Sequence, residues 1–587
     1  MKKVYTLQFI SLVLVSFSAM AQTSSVWKSK VDPVVLKKAE TSATVEYVAV
    51  LKQQADLSAA DKLESKEQKG QFVYASLKAA AQHSQGEILS LLSKSTATYR
   101  SFWVVNIVSV TSDMATLQAV AELASVDQII ENGKYVVSKT FTTPLSIKDQ
   151  EIQNSPMAGT WGITKTKADQ VWSQLKVTGK GAIVAGEDTG YDWEHPAIKS
   201  KYRGWNGSTA NHNYNWHDAV HATGSSCGAD SPEPCDDQKH GTHTMGTMVG
   251  GNASGTDIGM APDAKWMGCR NMNANNGTLT SYVECFEFFL APTDLNDNNA
   301  DPSKSPHVIN NSWGCPTSEG CNSSNFATME KVVNNLRAAG VVVVVSAGND
   351  GSACSTINTA APIFVGSFTV GSTTSGDAAS SFSSRGPVTN YGNHLSPDIS
   401  APGSDVYSCI PGGGYELMSG TSMAGPHVAG LVALIISANP ALAGKVSTIE
   451  DIIQSTAVKL TSTQTCGGVS GSTIPNNTFG YGRIDALAAV TKAISLVSVE
   501  ENGRTSTYVS MYPNPFTNTI NVEFKNWEGA TTLEIYSITG AVIFSKTWET
   551  VPAKYEVDIA SQAAGVYFYK ISNSKQNATG KLFKVGE

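Results

Sequence analysis

The sequence predicts an α/β protein: a three-layer central domain built on a parallel sheet, preceded by a small α+β unit and followed by an all-β sandwich. Three observations carry this. Val341–Val345 is an unbroken run of five valines, too short for a helix and apolar on both faces, as strands of a helix-covered parallel sheet are. Around it, short β-branched runs alternate with helical stretches from about Trp161 to Val497. From about Thr505 the pattern turns wholly β, with short strands recurring every 8–12 residues.

The chain has 587 residues, which at roughly 150 residues per domain suggests two to four domains. Hydrophobic residues are 41% and charged residues 16%, enough for a large core and without a signature of disorder. The net charge is −8 and no basic run exceeds two residues, so a nucleic-acid partner is not expected. None of the nine cysteines falls in a C-x-x-C pair, which argues against zinc ribbons and thioredoxin-like redox centres, and the odd count leaves at least one unpaired.

In chain order, residues 1–21 read as a secretory signal peptide. Met1-Lys2-Lys3 leads into an apolar run reaching Phe17, closed by Ala19-Met20-Ala21. Gln8, Ser11 and Ser16 interrupt the run, and a membrane anchor needs about 18–20 apolar residues, so no stable membrane span is expected. Export makes disulfides permissible. Residues 22–150 read β-α-β-α-β: Val45–Leu51 as a strand, Asp61–Leu92 as helix interrupted near Gly86, Tyr99–Val110 as one long strand, Met114–Ala124 as a helix and Val126–Glu131 as a closing strand. Residues 151–497 form the central domain, with strands expected at Ala182–Ala185, Val308–Asn310, Val341–Val345 and Phe364–Val370. The helix Thr328–Ala339 ends in a capping Gly340. Residues 498–506 are a polar linker, and residues 507–587 hold strands at Ile520–Phe524, Thr532–Tyr536, Val542–Thr547, Tyr555–Ile559 and Val566–Ile571.

Three motifs of the central domain belong together. In Val184-Ala185-Gly186-Glu187-Asp188-Thr189-Gly190 a strand delivers an aspartate into a glycine turn. In His240-Gly241-Thr242-His243-Thr244-Met245-Gly246-Thr247 a histidine opens a helix of small residues. In Ser419-Gly420-Thr421-Ser422-Met423-Ala424-Gly425-Pro426-His427 a serine precedes an apolar helix running to about Ala438, with Pro426 expected in its first turn. A serine hydroxyl needs a neighbouring base to become a nucleophile. An imidazole supplies one, and a carboxylate fixes its tautomer. A helix N-terminus also aims N–H groups at a developing oxyanion. The chain order Asp, His, Ser is that of subtilisin.

On these motifs the segment of about 155–495 resembles the catalytic domain of a subtilase, a subtilisin-like serine endopeptidase. Trp266–Met272, Glu284–Phe286, Leu290–Asn296 and Val308–Pro316 suggest the bacillopeptidase F-like branch. The resemblance implies a subtilisin-like three-layer fold in which Asp188 orients the base, His240 is the base and Ser422 the nucleophile. It also implies that Asn349 and Ser422 form the oxyanion hole, and that Ser312, Trp313, Gly314, Ala347 and Gly348 contact the substrate. Gly425 departs from the alanine or serine usual there, with no mechanistic consequence expected. The 22–150 unit resembles a subtilase propeptide, an intramolecular inhibitor and folding aid. Its removal cut falls between Asn132 and Trp161. Tyr512-Pro513-Asn514-Pro515-Phe516, Gly565–Ile571 and Gly580–Lys584 resemble the sorting domain of the type IX secretion system. Together these imply a protease made as a zymogen, acting on protein and peptide substrates, secreted through that machinery and retained at or released from the cell surface. The chain is read as a monomer, and the chemistry requires no cofactor.

Rival readings weigh less. Gly224-Ser225-Ser226-Cys227-Gly228 matches a G-x-S-x-G nucleophile elbow, but no strand precedes it and no helix follows. His195, His212, His217, His221, His240 and His243 with Cys227 and Cys235 are dense, yet H-E-x-x-H is absent and the spacing irregular. His243 reads as a packed residue. Structural calcium at Asp294–Asp301 (DLNDNNAD) is set against a solvated loop, which is preferred. A catalytically silent binding protein on the same fold is the alternative of a different class, opposed by the intact set Asp188, His240, Asn349 and Ser422. A matrix-binding role is the alternative for the C-terminal sandwich. Cys315–Cys321, Cys227–Cys235 and Cys269–Cys285 are the expected local disulfides.

Overall fold

The valine run becomes an interior strand of the central sheet. A computed structural model describes residues 26–137, 140–143, 160–251, 257–315, 321–496, 508–525, 527–574 and 576–586; the signal peptide and the linker lie outside them. Val342–Ser346 is flanked by Val308–Asn311 and Phe368–Thr373 in a seven-stranded sheet. Its order is Ile399–Pro402, Phe368–Thr373, Val342–Ser346, Val308–Asn311, Ile183–Asp188, Lys265–Arg270, Trp216–Asp218, and every neighbouring pair is parallel. Side chains of a strand alternate between faces. Val342 and Val344 accordingly join one core with the helices His240–Val249, Thr421–Ala438 and Ala486–Ser495, while Val341, Val343 and Val345 join a second with the helices Leu279–Leu290 and Ser323–Ala338. Each buried valine stabilises by about 1.5–3 kcal/mol relative to exposure. Helix Ser323–Ala338 stops as expected, with Gly340 in the left-handed region at φ +82°.

Thr421–Ala438 is the one helix among the described residues long and apolar enough to cross a bilayer, and it is the buried central helix. Pro426 is its sixth residue, not in the first turn as expected, so a regular helical hydrogen bond is lost. The strand expected from Phe364 begins at Phe368, because Ala361–Phe364 and Phe364–Ser367 close consecutive turns.

The N-terminal unit is a four-stranded antiparallel sheet, ordered Thr98–Phe102, Ile107–Ser112, Val45–Leu51, Val126–Ile130, with helices Lys66–Ser84, Gly86–Leu92 and Met114–Glu122. The long strand expected over Tyr99–Val110 is instead a hairpin, in which Phe102 faces Ile107 across the turn Trp103-Val104-Val105-Asn106. This turn is apolar because it is buried. Trp103, Val104 and Val105 enter the second core of the central domain, and the Glu287 carboxylate accepts the N–H groups of Trp103 (2.7 Å) and Val104 (3.0 Å).

The C-terminal unit is a sandwich of a three-stranded and a four-stranded antiparallel sheet around Ile520, Val522, Leu533, Ile535, Val557, Ile571 and Leu582. The five expected strands are present, joined by Tyr508–Tyr512 and Asn577–Lys584.

All three expected disulfides are formed. A fourth joins Cys354 to Cys466 across 112 residues, and Cys409 is free and buried.

Candidate active site

The site lies at the carboxyl ends of the central strands, where ligands bind in open α/β sheets. Asp188 is the last residue of Ile183–Asp188. The chain turns at Gly190, φ +109°, where a Cβ would fall 1.7 Å from the carbonyl oxygen of Cys235; only glycine fits. A Cβ on Gly241 would likewise fall 2.1 Å from the Gly190 oxygen, so the two glycines bring helix His240–Val249 against the strand end. His240 Nδ1 donates to Asp188 Oδ1 at 2.7 Å, and both side chains are buried. An ionised carboxylate only accepts, so this bond puts the imidazole proton on Nδ1. His240 Nε2 has no hydrogen-bond partner among the described residues.

The helix start is held by Asp236, which sequence reasoning missed. Its carboxylate accepts from Lys239 N (2.8 Å), Gln238 N (3.0 Å), Thr242 N (3.0 Å), Thr242 Oγ1 (2.6 Å) and Thr189 Oγ1 (2.8 Å). It ties Asp188's turn to His240's helix while meeting the positive helix end. Burial raises its pKa and these hydrogen bonds oppose the rise. An acid four residues before a helix-opening histidine was the available signal.

Ser422 is the second residue of Thr421–Ala438, which packs directly on the histidine's helix. Its Oγ donates to the Ser312 carbonyl at 3.3 Å, so no hydrogen bond to His240 is formed in this state; such bonds are often long before substrate binds. Asn349 lies just beyond Val342–Ser346. Its Oδ1 accepts from Thr421 N (2.8 Å) and Thr421 Oγ1 (2.9 Å), and its Nδ2 faces Gly420. Thr421 therefore fixes which end of the amide is the donor. Gly348, φ +102°, donates its N–H to Thr421 Oγ1 at 3.2 Å, and Ala347 is buried beside it. At Gly425 a Cβ would meet Asn310 Oδ1 at 2.9 Å: the side chain of Asn310 takes up the room.

Ser312-Trp313-Gly314 forms a wall of the cleft, and the chain itself lies along it. Lys134–Val137 runs antiparallel to Trp313–Gly314, Val136 facing Gly314 and Val137 facing Trp313. On its other side it pairs with Asn276–Thr278. Phe141–Thr143 then pairs with Leu417–Ser419, immediately before the serine's helix, and Thr140 reaches Gly420. The second wall, Asn276–Thr278, carried no signal in the sequence beyond a glycine turn. A cavity of about 600 Å³ lies elsewhere, between the N-terminal sheet and residues 219–284.

The rival motifs dissolve into structure. Ser225 Oγ and Gly228 O receive the Arg270 guanidinium, which is buried on Asp218, and Cys227 is bonded to Cys235. The histidines serve separate tasks. His195 caps a short helix, His212 meets Tyr202, and His217 and His221 share Glu284. His243 is buried, its Nε2 between the carbonyls of Val406 and Glu416 at 3.1 Å, and burial lowers its pKa to about 3. In the Asp294–Asp301 loop, Asp294 accepts from Asn296 N, Asn298 N and Asn299 Nδ2, Asp297 pairs with Arg100, and Asp301 with Lys304. These carboxylates are engaged by donors of the chain, and no metal-binding group of acids, histidines or cysteines occurs among the described residues.

Comparison with known proteins agrees with this architecture. Residues 179–482 match the model of the subtilase family, and residues 510–585 that of a secretion system C-terminal sorting domain. The chain is 36% identical over 456 residues to Bacillopeptidase F of Bacillus subtilis (strain 168), covering 74% of this chain but only 30% of that protein. It is 31% identical over 343 residues to an alkaline protease of Alkalihalobacillus alcalophilus, covering 58% of this chain and 72% of the relative. To Subtilisin E of Bacillus subtilis (strain 168) it is 30% identical over 302 residues, 51% of this chain and 66% of the relative. The chain thus spans under a third of the Bacillopeptidase F it resembles. The parallel sheet, the Asp-His pair at its carboxyl edge and the matched family model lead to one conclusion: the chain belongs to the subtilase family of serine peptidases and carries a type IX secretion sorting domain.

Proposed function

We propose that this protein is a secreted serine endopeptidase made as a zymogen, with Asp188, His240 and Ser422 as its triad. The observation that carries the reading is the strand Lys134–Val137, paired on both sides in the cleft, the place a peptide substrate would take. His240 Nε2 takes the Ser422 hydroxyl proton as Oγ attacks the peptide carbonyl, and Asp188 holds the imidazolium that forms. The developing oxyanion is met by the Asn349 amide and the N–H groups at the start of Thr421–Ala438. Collapse expels the amine with the proton from His240, and water then repeats the sequence on the acyl-enzyme. Subtilases need no cofactor for this chemistry.

The N-terminal unit would inhibit in cis, since its chain runs through the cleft. The maturation cut then lies between Val137 and Phe141, because the chain lies along the wall on one side and beside Ser419 on the other. The C-terminal sorting domain implies export, and the destination would be the medium or the cell surface. Full-length Ser422→Ala, purified without other proteases, should be inactive and unprocessed. A processed Ser422→Ala protein would assign the cut to another enzyme. Activity in Ser422→Ala would overturn the triad.

A further inference from the structure

Lys239 carries backbone strain directly beside His240. Its φ is +100° and its ψ −19°, whereas the other described non-glycine residues with positive φ lie between 47° and 71°, around the ordinary left-handed well. The conformation is held from both sides. Asp236 accepts the Lys239 N–H at 2.8 Å, and the His243 N–H bonds the Lys239 carbonyl at 3.1 Å as the helix begins. Glycine adopts this φ without steric cost. A side chain there lowers the folding equilibrium constant by roughly five- to thirtyfold.

The lysine side chain crosses to the strand Gly414–Ser419, where Nζ meets Glu416 Oε2 at 2.6 Å. The two side chains are 35% and 24% exposed, and an ion pair this open to solvent offsets at most about fivefold. Stability therefore does not account for a lysine at this position, and uncompensated strain beside a reacting group points to function. Glu416 is held to the histidine's helix a second time, because His243 Nε2 meets its carbonyl at 3.1 Å. The next three residues, Leu417–Ser419, pair with Phe141–Thr143, the stretch after the proposed maturation cut, and Ser419 leads into the helix of Ser422. The ion pair thus joins the residue beside the base to the strand that would hold the leaving half of a substrate.

We propose that Lys239 is a positioning residue: through Glu416 it sets His240 against the leaving-group strand, where the base must deliver its proton. In that step the scissile C–N bond breaks and the Nε2 proton of the imidazolium passes to the departing nitrogen, leaving neutral His240, a free amine and the acyl-enzyme. This rests on the reading of Asp188, His240 and Ser422 as the triad and of Phe141–Thr143 as the leaving side.

The test compares two substrates of the processed enzyme that share one acyl peptide. One releases a peptide amine, which needs the proton; the other is a p-nitrophenyl ester, whose phenolate departs without it. In Lys239→Gly and in Glu416→Gln, kcat/KM on the peptide should fall roughly tenfold while that on the ester stays within about twofold. Lys239→Arg keeps the charge and should retain both rates. The double variant Lys239→Gly/Glu416→Gln should lose no more than either single one, since the same contact is removed. Lys239→Gly should also unfold at no lower denaturant concentration than the parent, which separates lost positioning from a damaged fold. Unchanged peptide hydrolysis in both single variants, equal losses on peptide and ester, or losses that multiply in the double variant would each overturn the proposal. Should Lys239→Gly not be secreted, Glu416→Gln decides by the same ratio. Hydrolysis of both substrates persisting in Ser422→Ala would overturn the triad reading itself, a result distinct from any change in that ratio.

Discussion

Ser312 supplies the hydrogen bond that Pro426 withholds from Ser422. In a regular helix the Ser422 carbonyl would accept the N–H four residues on, but residue 426 is proline. Ser312 Oγ donates to that carbonyl at 3.2 Å, and Ser422 Oγ donates back to the Ser312 carbonyl at 3.3 Å. The proposed nucleophile is thereby tied to the cleft wall, in the turn that the proline opens.

Ser312→Ala should therefore leave a buried carbonyl unpaired and cost about 1–3 kcal/mol. In a Pro426→Ala background the helical N–H is restored and the same substitution should cost less. Denaturant unfolding of both pairs in a Ser422→Ala chain, which keeps the carbonyl and prevents autolysis, measures the coupling. Equal costs in the two backgrounds would show that the two residues act independently.

Asn349→Ala removes the proposed oxyanion donor, whose orientation Thr421 fixes through the amide oxygen. We expect kcat to fall by about 10²–10³, the magnitude found for such a donor in subtilisin, with KM nearly unchanged. Thr421→Val, which removes the Oγ1 bond and leaves the N–H bond, should give a smaller loss of the same kind. Steady-state kinetics on one peptide substrate separates the cases: a rise in KM with kcat intact would move Asn349 from oxyanion to ground-state binding.

The residues read correctly from sequence are those whose local context specifies them. The run Val341–Val345 is buried on both faces as expected, and the long motifs of Asp188, His240, Asn349 and Ser422 come together at the carboxyl edge of the sheet, where Asp188 meets His240 and Asn349 meets the residue before Ser422. What escaped depends on partners distant in the chain. Trp103–Asn106 reads as strand because it is apolar, yet it is apolar because a turn is buried against Glu287. The Cys354–Cys466 bond spans 112 residues, and no spacing rule reaches that far. Glu187 reads as an ordinary strand residue, and only the fold brings it under Trp313, whose Nε1–H it accepts at 3.1 Å. The sequence puts Pro426 in the first turn because a helix interior normally excludes proline; Ser312 is the compensation that a single sequence does not display.

His243 and His427 are both fully buried, with pKa values lowered to about 3 and about 4, chiefly by burial. A base whose folded pKa lies below its unfolded value near 6.5 contributes stability that is present above 6.5 and lost as pH falls toward the folded value. Around pH 5 the unfolded chain binds a proton at each position that the folded chain refuses. His243→Gln retains a donor to the carbonyls of Val406 and Glu416 but cannot titrate. Its unfolding free energy should therefore depend less on pH between 6 and 4, by about 1.4 kcal/mol per pH unit relative to the parent. Denaturant unfolding of the Ser422→Ala chain with and without His243→Gln across that range checks this. Identical slopes would mean His243 is protonated in the folded protein.

The sorting domain touches the central domain without entering its chemistry. Phe583 is buried in the core that contains helix Ala486–Ser495, with Val566 and Val585 against it, while the cleft walls Asn276–Thr278 and Ser312–Gly314 belong wholly to the central domain. Truncation after Leu496 would expose a small apolar patch and remove the export address, leaving Asp188, His240, Asn349 and Ser422 in place. Specific activity of the purified truncated enzyme should match the full-length protein on soluble substrates, and in its own host the truncated chain should accumulate in the periplasm. Fractionating medium, cell surface and periplasm, with activity assays on soluble and insoluble protein, tests both halves. Normal secretion of the truncated chain, or a large loss of activity confined to insoluble substrates, would mark the sandwich as a substrate-binding module instead.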